Sequence, residues 1–398
     1  MKMPNKAGVS FWLMTLLGFG VLTMAWPTHF ACQPEDGHLP FNGGWFGADG
    51  DVSVRLSDNT SVWIFADTMV GPGERQNATN MPHNSVGVYR CGDTQLRSRD
   101  HASSSSFSVE YFWGDLSNPN TAVAFFPGPD PGASYYWVAD AAAVAVGEQG
   151  EAIYAFAMTE STQGTFVLLG FTMITVQNPL QSPYLWKPVY TPLTSDPSAY
   201  IATVVMTPDD ASLLLYVLTV NQSIALMSLP PAALSSPLGQ FSYLVGLDPQ
   251  DSAPIWKPAG PSNLPGADAY AVQIGDDFLF STEFTVRFHE GLGWVAVIAS
   301  PKQWSSAQVL IASPETPWGP FKQAASYFYP EMQQAGDEYP QATFCYAAKE
   351  HPEFESDSHQ IVFTYACNLY TGEIAPLLNS SYLLYDPIFV TIQLPRGS

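Results

Sequence analysis

Positive charge is what this chain has least of. Its 398 residues include 14 Lys and Arg against 36 Asp and Glu, a formal net charge of -22. No stretch clusters basic side chains, which argues against nucleic acid as a partner, because phosphate binding needs grouped Lys and Arg. It argues against an anionic membrane surface for the same reason. Cysteine is scarce as well: Cys32, Cys91, Cys345 and Cys367 show no CxxC or Cys/His spacing of the zinc kind. A GxSxG elbow, an HExxH helix, a P-loop, a dinucleotide-binding glycine fingerprint and a Ser-x-Asp-x-Gly-x-Thr-Trp box are all missing. Chemistry based on a serine nucleophile, zinc or nucleotides is therefore unsupported, and no metal or cofactor is expected.

Long helical patterns are missing too. In their place, 34 Pro and 30 Gly punctuate short apolar runs, within a chain that is 46% hydrophobic and 14% aromatic. Such a composition suits many short strands around a large core. The runs fall into five blocks, at about Gly43 to Cys91, from near Phe107, at Tyr200 to Val245, at Asp268 to Lys322 and at Glu338 to Leu394. Each holds about four runs of five to eight residues, which is the pattern of an all-β, five-bladed β-propeller. A double β-sandwich is the structural alternative. The Pro-rich segments Asn178 to Pro197, Pro249 to Pro265 and Pro314 to Pro320 read as loops between blocks, and Ser103 to Ser106 as a surface loop.

At the N-terminus, Lys2 and Lys6 precede an apolar run from Val9 to about Trp26, the form of a secretory signal peptide cleaved after Ala25. An uncleaved anchor and lipid attachment at Cys32 are the alternatives. The expected division is residues 1–31 as signal and lead, then 32–398 as one propeller, secreted and monomeric, with no partner protein evident. Export favours disulfides. Cys345 and Cys367 lie on two apolar runs that read as neighbouring strands, so they are expected to pair, leaving Cys32 with Cys91. Sequons at Asn59, Asn77, Asn221 and Asn379 become relevant only in a eukaryotic secretory route.

The most informative stretch runs from Gly43 to Asn84. Asp51 to Leu56 and Ser61 to Ala66 alternate apolar residues around the turn Ser57-Asp58-Asn59-Thr60, an antiparallel hairpin. Asp49, Asp51 and Asp67 then gather at its open end. Pairing Leu56 with Ser61 sets Gly50 opposite Asp67 and Val52 opposite Phe65. Opposed residues lie about 5 Å apart, a spacing at which one carboxyl can stay protonated while its partner is charged. The plainer reading of each Asp is a turn or cap residue.

Other groups are candidates for binding. Trp137 and Asp140 suit a sugar platform with an anchoring hydrogen bond, or a core Trp and a turn Asp. Glu283 and Arg287 alternate on one strand face, as a proton donor with its orienting guanidinium or as a surface ion pair. His83 and Asn84 follow the Asp67 strand closely enough to line the same opening. Tyr365 and Asn368 point to the axis from the last block, or Tyr365 is core.

The string GWFGADGDVSVRLSDNTSVWIFADTMVG, followed by PHNSVGVYR, resembles the family catalogued as domain of unknown function 4185. SAQVLIASPETPWGPF, FCYAAKEHPEF and IVFTYACN are looser likenesses to it, so the resemblance covers about Phe41 to Leu394. It implies a five-bladed propeller glycoside hydrolase acting on an arabinan-type furanose polysaccharide or oligosaccharide. The implied catalytic acids are Asp49 and Asp67, in the Gly-x-Asp-Gly and Phe-x-Asp-Thr motifs. Ala48 and Ala66 stand where that family often has Gly. A non-catalytic carbohydrate-binding propeller is the opposing reading.

Overall fold

The apolar runs form antiparallel sheets set radially, a five-bladed β-propeller. The computed structural model describes residues 37–90, 108–114, 122–146, 150–164, 166–260, 262–274, 282–300, 305–336, 340–370 and 384–395. The N-terminal targeting pattern, the Cys32–Cys91 pairing, the Ser103–Ser106 tract and the Asn379 sequon lie outside them.

β1 (Trp45–Ala48) pairs with β4 (Thr68–Val70), and β2 (Val52–Arg55), β3 (Thr60–Phe65), β5 (Ser85–Arg90) and β6 (Val109–Phe112) make blade I. Blade II is β7 (Ser134–Ala145), β8 (Glu151–Ser161), β9 (Leu168–Val176) and β10 (Val189–Thr194). Blade III has a fifth strand: β11 (Ala199–Met206), β12 (Leu213–Thr219), β13 (Ile224–Leu229), β14 (Ser242–Leu247) and β15 (Pro254–Pro258). Blade IV is β16 (Phe284–His289), β17 (Gly293–Ala299), β18 (Ser306–Ala312) and β19 (Lys322–Phe328). Blade V is β20 (Thr343–Glu350), β21 (Gln360–Leu369) and β22 (Ile388–Gln393). Its outer edge is met by the start of the described chain: His38 bridges to Ile388, and Phe389 donates its N–H to Gly37 O.

Five apolar clusters fill the spaces between neighbouring blades, one to each interface. A mid-blade strand thus has a core on both faces, so β17 is buried at every position. Each fully buried Val, Ile, Leu or Phe contributes roughly 1.5–3 kcal/mol. Outermost strands have no such demand. The segments read as Pro-rich loops contain β10, with Pro192 inside it, and β15, bounded by Pro254 and Pro258. An edge strand needs few of its N–H groups for pairing and faces water, so Pro and polar residues are tolerated there and the apolar signal is lost. Val109–Phe112, read at the start of the second block, instead completes blade I by pairing with β5.

Cys345 and Cys367 are cross-strand partners on β20 and β21 and form a disulfide, with Cα atoms 4.0 Å apart. The sequence separation is 22 residues. The doubly substituted Cys345→Ala/Cys367→Ala protein is expected to lose about 3 kcal/mol of stability by the chain-entropy argument, measured by urea unfolding. No difference in midpoint would show the bridge to be stabilising nothing.

The first strands of the blades lie around the central axis, with β2 against β7, β7 against β11, β11 against β16 and β16 against β20. Lys349 on β20 reaches Ala139 O on β7 at 2.7 Å, linking blade V to blade II. Asp49, Trp137 and Glu283 lie at or near the starts of these strands, which gather at one opening, here called the mouth. His289 and Glu350 end β16 and β20 at the other opening.

Candidate active site

The hairpin of β2 and β3 has a three-residue loop, Ser57-Asp58-Asn59, not the four-residue turn expected. Asn59 takes a left-handed φ of 66°, and Thr60 N donates to Asp58 Oδ1 at 2.9 Å. The register therefore shifts by one: Val52 pairs with Ile64, and Leu56 N donates to Thr60 O. The shift brings Asp49 opposite Asp67. Asp49 N donates to Asp67 O at 3.3 Å and Ala66 N to Asp49 O at 2.8 Å.

The glycines flanking Asp49 explain the Gly-x-Asp-Gly pattern. A Cβ on Gly47 (φ 133°) would sit 2.0 Å from Tyr385 O, so blade V's last loop closes directly onto this segment. A Cβ on Gly50 (φ 63°) would lie 2.9 Å from the Ala66 Cβ and 3.8 Å from Glu283 Oε1. Gly50 thus admits Glu283 from blade IV beside the pair.

The two aspartates have different surroundings. Asp67 Oδ1 accepts from Trp137 Nε1 at 2.9 Å and meets His83 Nδ1 at 2.8 Å. The Asp67 side chain is 22% exposed and that of His83 40%, so this side of the pair is open to water. Asp49 Oδ2 accepts from Tyr346 Oη at 2.6 Å, while Oδ1 is buried. Burial pushes the Asp49 carboxyl well above its ordinary range, and the charges of Asp67 and Glu283 push the same way against hydrogen bonds from Tyr346 and Tyr385. Burial also raises Glu283, with Lys349 opposing it. Asp51, fully buried below Asp49, is raised by burial and then by Asp49.

Asp140 and Arg287 form a separate layer deeper on the axis. Arg287 donates Nη2 to Asp140 Oδ1 at 2.9 Å and Nη1 to Asp140 Oδ2 at 3.0 Å, and Thr203 Oγ1 and Val204 N also donate to this carboxylate. Burial alone would raise Asp140, but the charge and hydrogen bonds of Arg287, with Lys349 and Thr203, together hold the carboxyl below its ordinary range. Arg287 therefore serves Asp140, not Glu283.

The mouth accordingly brings together Asp49, Asp67, His83, Trp137 and Glu283. Asn368 stands behind it, with Nδ2 3.4 Å from Tyr346 Oη. Asn84 and Tyr365 are elsewhere. Asn84 is buried and clamps blade I to blade II through Phe126 O, Phe126 N and Tyr136 O. Tyr365 is a core residue of blade V whose hydroxyl donates to Glu331 at 3.0 Å. Tyr346, Tyr385 and Lys349 were not singled out in the sequence. Their only signal is a polar side chain within an apolar run, and their partners lie far away in the chain.

At the opposite opening, His289, Glu350 and Glu355 form a buried cluster. His289 Nε2 lies 2.8 Å from Glu350 Oε1, and Nδ1 lies 3.4 Å from Glu355 Oε2. Each nitrogen meets a different carboxyl group, as in an imidazole bridging two acids; a metal would want both carboxylates on the side of one nitrogen. A cavity of about 480 Å³ lies against β9 and β10, lined by Tyr136, Thr172 and Asp196 among others, and does not include the paired aspartates.

Near the mouth, Glu160 is buried and its Oε2 has no hydrogen-bond partner among the described residues; burial pushes it up to about 7 from 4.5. Below pH 4.5 both folded and unfolded chains carry this proton. As pH rises from there to about 7, only the folded chain keeps it, so the stability it contributes is lost across that window. Glu160→Gln is therefore expected to be more stable than wild type by about 1–2 kcal/mol at pH 8, the full shift being discounted for nearby solvent, and to melt at the wild-type temperature at pH 4. Equal melting at both pH values would contradict this.

A solved structure of a candidate hydrolase from Bacteroides ovatus ATCC 8483 is similar in fold, at 17% identity and a TM-score of 0.63, over 88% of this chain and 86% of that one. The GH43_1 enzyme from Xanthomonas citri, complexed with xylotriose, aligns over 89% of each chain at 12% identity and a TM-score of 0.45. No curated protein matches the chain. Residues 36–393 match the family described as Domain of unknown function (DUF5005), which replaces the family suggested by the motifs, number 4185. The chain belongs to the DUF5005 family.

Proposed function

We propose that this protein is a glycoside hydrolase that cleaves a furanose-containing polysaccharide of the arabinan type. The observation that carries the reading is the pairing of Asp49 and Asp67 across one hairpin, in contrasting environments, at an opening that water reaches. Asp49, desolvated and beside two other acids, keeps its proton and donates it to the leaving glycosidic oxygen. Asp67, fixed by the Trp137 and His83 ring nitrogens, supplies the charged partner for the developing positive charge. Burial does most to keep Asp49 protonated, and the nearby charges of Asp67 and then Glu283 add to it. The sugar class rests on the Gly-x-Asp-Gly and Phe-x-Asp-Thr motifs. Secretion rests on the N-terminal basic and apolar pattern.

The experiment is a screen of the purified protein against arabinan, xylan and galactan, reading new reducing ends. Release from arabinan supports the whole reading, and release from another polymer alone removes the sugar assignment. Binding without release from any of them favours the carbohydrate-binding propeller.

A further inference from the structure

Two rows of aromatic rings start at the aspartate pair, one on blade II and one on blade V, the two blades that flank blade I. The first starts at Asp67. Trp137, bonded to Asp67, lies against Phe166 with ring centroids 5.6 Å apart, and Phe166 is 73% exposed. Behind Trp137, Tyr135 stacks on His83 at 3.7 Å, and His83 holds the same carboxylate oxygen. The second row starts at Asp49. Tyr346, bonded to Asp49, stacks on Phe344 at 5.2 Å, and Phe344 stacks on Tyr370 at 4.4 Å. Tyr370 is 66% exposed.

Single exposed apolar side chains are ordinary. These two differ, because each ends a continuous line of rings whose other end is hydrogen-bonded to one of the two aspartates. Phe166 also takes a left-handed φ of 56°, a conformation that costs free energy for a bulky residue and persists where the surroundings or a function demand it. Sugar rings present C–H faces that stack on aromatic planes, while their hydroxyls stay hydrated.

We propose that the two rows are binding subsites on either side of the cleavage point, with Phe166 and Tyr370 as the outermost platforms for an extended glycan chain. This rests on the hydrolase reading and deepens it. A glycan gripped on both sides of the aspartates is cut internally, and chains too short to reach both platforms gain nothing from them.

The test uses Phe166→Ala, Tyr370→Ala, Phe166→Trp and Tyr370→Phe in the full chain. Kinetics are measured on the polymer that the wild type cleaves and on its di- and trisaccharides, and retention is measured in native gels containing arabinan, xylan or galactan. Each Ala variant should raise KM for the polymer about five- to tenfold at near-constant kcat, and weaken retention equally, as one lost ring contact implies. Short oligosaccharides should be cleaved as by wild type, and the aromatic replacements should restore the polymer KM. Wild-type KM and retention in both Ala variants would overturn the inference and leave the hydrolase reading intact. A wild type that neither cleaves nor is retained by any of the three polymers would overturn both.

Discussion

Asp67→Asn and Asp49→Asn should each lower kcat by about three orders of magnitude or more, with little change in melting temperature, because general acid catalysis alone supplies 10²–10⁴-fold and the charged partner a similar factor. Asn fills the same space and leaves the backbone bonds between Asp49, Ala66 and Asp67 untouched. At position 67 the amide cannot be charged, so its hold on Trp137 and His83 weakens without unfolding the blade. At position 49, Asn keeps an acceptor for Tyr346 but has no transferable proton. Activity within tenfold of wild type in both variants would contradict the assignment. Unfolding of both would make the pair a structural turn.

Arg287→Met should be the most destabilising single change at the axis, by about 3–5 kcal/mol, because it leaves Asp140 buried and uncompensated. The pair is deep, with Arg287 13% and Asp140 0% exposed, and among the described residues the carboxylate is otherwise met by neutral donors and by the more distant charge of Lys349. Asp140→Asn added to Arg287→Met should recover part of the loss, since the orphaned charge is then gone. Chemical denaturation of the three proteins checks this. An additive double variant would mean that the two residues are not coupled.

Much of the architecture was legible because mid-blade strands such as β12 and β17 are apolar on both faces and repeat at blade spacing. The strands that escaped were those under weaker demands. β10 and β15 tolerate Pro as edges, and the last blade's outer edge is met by residues at the opposite end of the chain. The hairpin mouth was legible because its residues are local, but the register was not: a left-handed Asn59 shortens the loop and moves every pair by one. The far half of the site could not be read from local pattern. Tyr346 is 297 residues from Asp49, and nothing in TFCYAA distinguishes a tyrosine at the mouth from Tyr365, which is core. Asn84 misled for the converse reason. It is adjacent to His83, yet as the neighbouring residue it turns the other way and clamps the next blade.

The pH dependence of hydrolysis addresses the central claim, that burial and two neighbouring acids keep Asp49 protonated as the proton donor. The descending limb of kcat/KM should lie well above the ordinary carboxylate range in the wild type. Glu283→Gln, by removing one of the charges that raise Asp49, should move that limb to lower pH. A descending limb within the ordinary carboxylate range, or one that Glu283→Gln leaves in place, would contradict the account.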